Sequence, residues 1–149
     1  MSVWKPAVTV AAIIERAGRF LFVEEQADGR RVLNQPAGHL DPGESIVSAV
    51  EREVLEETAH RFTPSALVGV YRWHYPAHEV TYLRFAFCGD ALEEPGRALD
   101  REILALHWLT REELAARRSM HRSPLVERCV DDYLAGKRFP LEVLSGEFA

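Results

Sequence analysis

Residues 38–60 read GHLDPGESIVSAVEREVLEETAH. Five residues separate Gly38 from Glu44, and seven more separate Glu44 from the run Arg52-Glu53-Val54-Leu55-Glu56-Glu57. On a helix each residue turns the side chain by about 100°. Glu53, Glu56 and Glu57 stand at i, i+3 and i+4, so a helix here puts all three on one face. Val47, Val50 and Val54 follow the same spacing on a neighbouring stripe that can dock the helix on a core. Three like charges on one face repel each other, and a bound cation relieves them. Carboxylate oxygens suit hard Mg²⁺, with Mn²⁺ as a substitute, rather than zinc.

The residues before the helix, Gln35-Pro36-Ala37-Gly38-His39-Leu40-Asp41-Pro42-Gly43, read as a loop from their Pro and Gly content. The helix is predicted to begin near Glu44. A charged, solvent-facing helix explains any single glutamate here. It does not explain the whole set, because a solvated face needs neither this spacing nor the loop in front of it.

At 149 residues the chain is predicted to be one domain, 1–149, with enough apolar material for its own core. A hydrophobic fraction of 47% and a charged fraction of 28% are those of an ordinary soluble protein. The net charge is −5 without a Lys/Arg block, which argues against a nucleic-acid partner. Much of the excess acid lies in residues 38–60, where it repels an anionic phosphate unless a cation is present. Cys88 and Cys129 form no metal-binding pattern and read as small apolar residues in a reducing compartment. His39, His74 and His78 have no metal spacing either. The apolar run Ala7–Ile14 is too short to span a membrane and lacks the flanks of a secretion signal. A cytoplasmic location is the expectation, with no membrane partner.

Ala7–Glu15 and Arg19–Glu25 read as two strands of a hairpin joined across Ala17-Gly18. Val32–Asn34 is a short extended piece. Ala66–Tyr75 and Val80–Gly89 read as strands joined around Pro76-Ala77-His78, and Leu104–Leu109 as another. Thr110-Arg111-Glu112-Glu113 is a capping box, and Ser123-Pro124 opens a last helix stopped by Gly136. This order predicts an α/β fold, a mixed sheet covered by helices on both faces.

The spacing from Gly38 to Glu57 resembles the Nudix box, the metal-binding signature of hydrolases that cut diphosphate bonds linked to another group. The resemblance implies a Nudix α/β/α sandwich with a mixed β-sheet and a loop–helix–loop box. It implies Mg²⁺ held by Glu53, Glu56, Glu57 and the Gly38 carbonyl. It also implies that Arg52 pairs with acids, Glu44 above all, and holds the box together. Many members carry a further acid on the loop before a Trp-bearing strand. Here that implies Glu102, so that Glu53 or Glu102 is the catalytic base. Two positions depart from the pattern, Ala59 for Gly and His60 for an aliphatic residue. In a left-handed helix terminus alanine costs roughly 1 kcal/mol relative to glycine.

Further stretches are similar to one bacterial branch, the NudJ-type phosphatases: Val8–Ala11, Asn34–Leu40, Leu83-Arg84-Phe85, Arg122–Val126 and Gly136–Glu142. That branch implies hydrolysis of nucleoside tri- and diphosphates and of hydroxymethylpyrimidine pyrophosphate, acting on a small molecule as a monomer or homodimer. Tyr71, Trp73 and Tyr75 alternate, which on a strand puts them on one face as core aromatics or as a ring-stacking platform. With Arg84 they are the candidate substrate-binding residues. Two other readings stay open. Pro76, sixteen residues past His60, also suits an ADP-ribose or nucleotide-sugar pyrophosphatase. A Nudix-fold sensor that binds without cutting is the third, although such modules typically lose acids that this chain keeps.

Overall fold

The structure is a computed structural model and describes residues 2–144. The two apolar, β-branched runs near the start form strands, β1 (Ala7–Ile13) and β3 (Arg19–Ala27), but not a hairpin with each other. Only the short β2 (Glu15–Arg16) turns back on β3. The chain changes sheets at Ile14. Every residue from Val10 to Ile14 is at most 2% exposed. A strand covered on both faces needs neighbours on both edges, and β1 finds them far along the chain.

The expected mixed sheet is present, and a second sheet faces it. The first has the order β5-β1-β7-β6, where β5 is Ala37–His39, β6 is His60–Tyr75 and β7 is Val80–Glu93. Its β1–β7 pair is parallel, and its other pairs are antiparallel. In the second sheet, β3 pairs antiparallel with β2, β4 (Arg30–Asn34) and β8 (Ile103–Leu109). Strands β6 and β7 run longer than the sequence suggests. Pro64 and Gly69 interrupt the pattern, but both sit at irregularities of the ladder, where a missing N–H or side chain is tolerated.

Helix α1 (Ile46–Thr58) lies on one face of the mixed sheet and shares a core with Val10, Phe62 and Phe87. Val50 and Val54 are fully buried there, as the stripe predicted, and Val47 is partly buried. Ser45 caps the helix, close to the predicted start near Glu44, its hydroxyl accepting from the Ser48 N–H at 2.9 Å. Its other end closes on Ala59 at φ 55°, ψ 35°, in the left-handed region. The opposite face of the sheet meets the second sheet and helix α3 (Leu125–Leu134) through Ile13, Phe22, Leu33, Val126 and Cys129. Helix α2 (Arg111–Ala116) carries the predicted Thr110/Glu113 capping box. Ser123 acts one residue outside its predicted position, its hydroxyl accepting from the Leu125 N–H. No helix among the described residues is long and apolar enough to cross a membrane.

Candidate active site

The edge strand β5 and helix α1 approach so closely that a Cβ on Gly38 would lie 2.1 Å from Glu53 Cδ. The glycine is required by contact, and it seats the Glu53 carboxyl against the strand backbone. One turn on, Glu57 is 8% exposed and accepts from the Ala37 N–H at 2.9 Å. Burial pushes its pKa up to about 9, the Ala37 bond opposes this, and the charges of Glu25, Glu53 and Asp100 add to it. Glu53 is also raised, first by burial, against the pull of Arg52.

Arg52 sits within this acid cluster. Its Nε and Nη2 donate to the two oxygens of Glu44 at 2.9 and 2.7 Å, a bidentate pair. Its Nη1 reaches Glu53 at 2.8 Å and Glu56 at 3.2 Å, and Nη2 also donates to the His39 carbonyl at 3.0 Å. The repulsion among the acids is therefore partly relieved from within the chain. Glu53 and Glu56 turn to Arg52 while Glu57 turns to the Ala37 N–H. Among the described residues no three His, Cys, Asp or Glu side chains are gathered as a coordination sphere. The donor set still fits a hard divalent cation. It is all oxygen, it contains a buried carboxyl driven toward neutrality, and a glycine leaves the strand backbone open beside it.

These groups close one end of a cleft of about 380 Å³. Glu102 lines it, and so do Asp100 and Glu25, which the sequence reading missed. The Asp100 N–H donates to the Glu56 carbonyl at 2.9 Å and pins its loop to the helix end. Glu25 comes from β3 and is paired with Arg122 at 2.7 Å. Its one sequence signal was an acid pair, Glu24-Glu25, closing an apolar strand.

Trp73 and Tyr75 line the far wall together with Tyr82, also missed. Tyr82 is the cross-strand partner of Trp73, and their rings are nearly parallel, at 15° and 6.0 Å between centroids. Tyr71 does not join them, contrary to its place in the candidate set. Its ring lies over Gly69, where a Cβ would meet it at 2.9 Å, and its hydroxyl donates to Asp132 at 2.7 Å. It packs against the core that contains α3. Arg84 is 6% exposed and also lines the cleft. Asp28, on the β3–β4 turn, accepts from both the Tyr75 hydroxyl and His78.

Residues 3–129 match the family model of the NUDIX domain. The chain belongs to the Nudix family. Its α/β sandwich is the Nudix fold, and the enzyme is a Nudix hydrolase. It is 38% identical to phosphatase NudJ of Escherichia coli K12 over 147 residues, 97% of this chain and 94% of that one. A Nudix hydrolase from Nitrosomonas europaea superposes with a TM-score of 0.93 at 50% identity, covering 96% of this chain and 98% of that chain. The NUDIX domain of Shewanella oneidensis NrtR, solved with ADP ribose, shares the fold alone. Its TM-score is 0.70 at 13% identity, over 90% of each chain.

Proposed function

We propose that this Nudix hydrolase is a Mg²⁺-dependent phosphatase of the NudJ kind. Its substrates are the phosphoanhydrides of nucleoside tri- and diphosphates and of hydroxymethylpyrimidine pyrophosphate. The observation that carries this reading is the buried acidic end of the cleft facing an aromatic wall, in a chain alignable with NudJ over nearly its whole length. Glu53, Glu56, Glu57 and the Gly38 carbonyl would hold Mg²⁺, or Mn²⁺ in its place. When bound, the ion neutralises charge on phosphate oxygens and lowers the pKa of water.

The chain's own groups then have separable tasks. Arg52 ties Glu44, Glu53 and Glu56 into one frame and sets the direction of each carboxylate. A carboxylate takes the proton of the attacking water, and Glu53 and Glu102 are the candidates. Glu53 is half-buried and raised in pKa, whereas Glu102 is exposed at the cleft edge. Trp73, Tyr75 and Tyr82 offer the organic ring of the substrate an apolar wall. Pro76, which motivated the ADP-ribose alternative, is exposed in the β6–β7 turn, and nothing in its position favours that reading.

A phosphohydrolase substrate panel with Mg²⁺, reading orthophosphate with and without added pyrophosphatase, tests the proposal. Turnover of nucleoside phosphates or of the pyrimidine pyrophosphate is expected. Preferred cleavage of ADP-ribose to AMP and ribose 5-phosphate would replace it, and tight binding without turnover would make the chain a sensor.

A further inference from the structure

Arg84 lines the cleft with a buried positive charge that has no ionic partner among the described residues. Nη1 donates to Gln35 Oε1 at 2.9 Å and lies 3.9 Å from Cys129 Sγ, and Nη2 donates to Asn34 Oδ1 at 3.0 Å. Gln35 is itself fixed, its amide nitrogen donating to the Val126 carbonyl at 2.7 Å. These partners carry no carboxylate. The Nε N–H and one N–H on Nη2 keep no protein acceptor among the described residues. Nε and Nη2 flank one edge of the guanidinium, the fork that takes two oxygens of an oxyanion. Arg122, the other arginine lining the cleft, is already paired with Glu25. A desolvated cation held only by neutral groups is costly, and an arriving anion offsets that cost.

The register of the mixed sheet gives Arg84 its place along the cleft. His39, Thr9 and Arg84 form one row across β5, β1 and β7. Tyr82 and Trp73 form the next row, two residues or about 7 Å along the strands. The acids reach in from beyond β5, where Gly38 backs Glu53 and the Ala37 N–H holds Glu57. Arg84 thus lies between the acidic end and the aromatic wall.

We propose that Arg84 is the binding residue for the phosphate that stays attached to the substrate's ring, on the ring side of the scissile anhydride. Asn34 and Gln35 are its positioning residues, aiming the free edge of the guanidinium. The assignment rests on the phosphohydrolase reading of the acidic end.

Orthophosphate is the probe. It is titrated in EDTA into the wild type, Arg84→Gln and Arg84→Lys, with tryptophan fluorescence as readout because Trp73 faces the cleft. Saturable binding by the wild type is expected, weakened about tenfold or more in Arg84→Gln, as loss of a charged hydrogen-bond pair implies. Arg84→Lys keeps the charge without the fork and should fall between; it also supplies the comparison if the glutamine variant does not fold. With Mg²⁺ and the best nucleoside diphosphate, KM should rise about tenfold while kcat stays within roughly threefold. Equal phosphate binding in all three proteins, or none in the wild type, overturns the assignment. If the wild type hydrolyses no phosphoanhydride yet loses phosphate binding in the variants, the reaction reading fails and the subsite stands. If it hydrolyses them with KM unmoved in the variants, the subsite fails and the reaction stands.

Discussion

Glu57→Gln should make the metal-free protein more stable while abolishing most of its activity. Burial pushes the Glu57 carboxyl up to about 9 from an ordinary 4.5. Because the folded-state value is raised, the stability tied to this group is complete below about pH 4.5 and is lost as pH rises toward 9. From 4.5 to pH 7 is 2.5 pH units, and at 1.36 kcal/mol per unit the loss at pH 7 is about 3 kcal/mol. Glutamine has no proton to bind, so it escapes this loss, and its Oε1 can still accept from the Ala37 N–H. Its NH₂ group needs a new acceptor, which returns roughly 1 kcal/mol. The net gain of about 2 kcal/mol raises Tm by about 4–8 °C for a chain of this size. Thermal melts in EDTA from pH 5 to pH 9 test this: the wild-type Tm should fall across the range, and the variant should lack that component. Mg²⁺ should restore the wild type far more than the variant, and kcat of the variant should drop about a hundredfold or more. A variant that melts below the wild type at pH 8 in EDTA, or that keeps the same pH slope, would refute the reasoning.

Gly38→Ala places a Cβ 2.1 Å from Glu53 Cδ, so the Glu53 carboxyl must leave the strand. Steady-state kinetics should show kcat lowered by about a hundredfold, and normal turnover would mean that this approach is irrelevant to the chemistry. Ala59→Gly should stabilise by about 1 kcal/mol, because Ala59 holds φ 55° at the end of α1; chemical denaturation measures it, and a loss of stability would count against the strain. Glu127 is held down to about 2, first by Arg118 and then by Arg111. Its contribution is therefore full above about pH 4.5 and lost as pH falls toward 2. Glu127→Gln should remove about 1–2 kcal/mol at neutral pH, allowing for solvent screening at the exposed Arg118, and should flatten acid unfolding followed by circular dichroism over that window.

What the sequence by itself determined was local. Glu53, Glu56 and Glu57 fall on one face through helical geometry alone, whatever the rest of the chain does. The Gly38–Glu44–Arg52 spacing and the Thr110 capping box are likewise settled within a few turns of backbone, whereas the left-handed turn at Ala59, where the pattern has Gly, is a finding of the structure. Tertiary structure decided which distant groups meet them. Glu25 and Asp100 join the acids from two other elements, and Tyr82 joins Trp73 only through the β6–β7 register. Alternation put Tyr71 on the same face as Trp73, but Asp132, 61 residues away, drew it out of the cleft. Arg84 finds its neutral partners about 50 residues upstream, on the far side of a sheet boundary. Period and spacing carry no record of such meetings. They arise because β1 is buried on both faces and must take its neighbours from β5 and β7, and that burial fixes the register of the mixed-sheet residues lining the cleft.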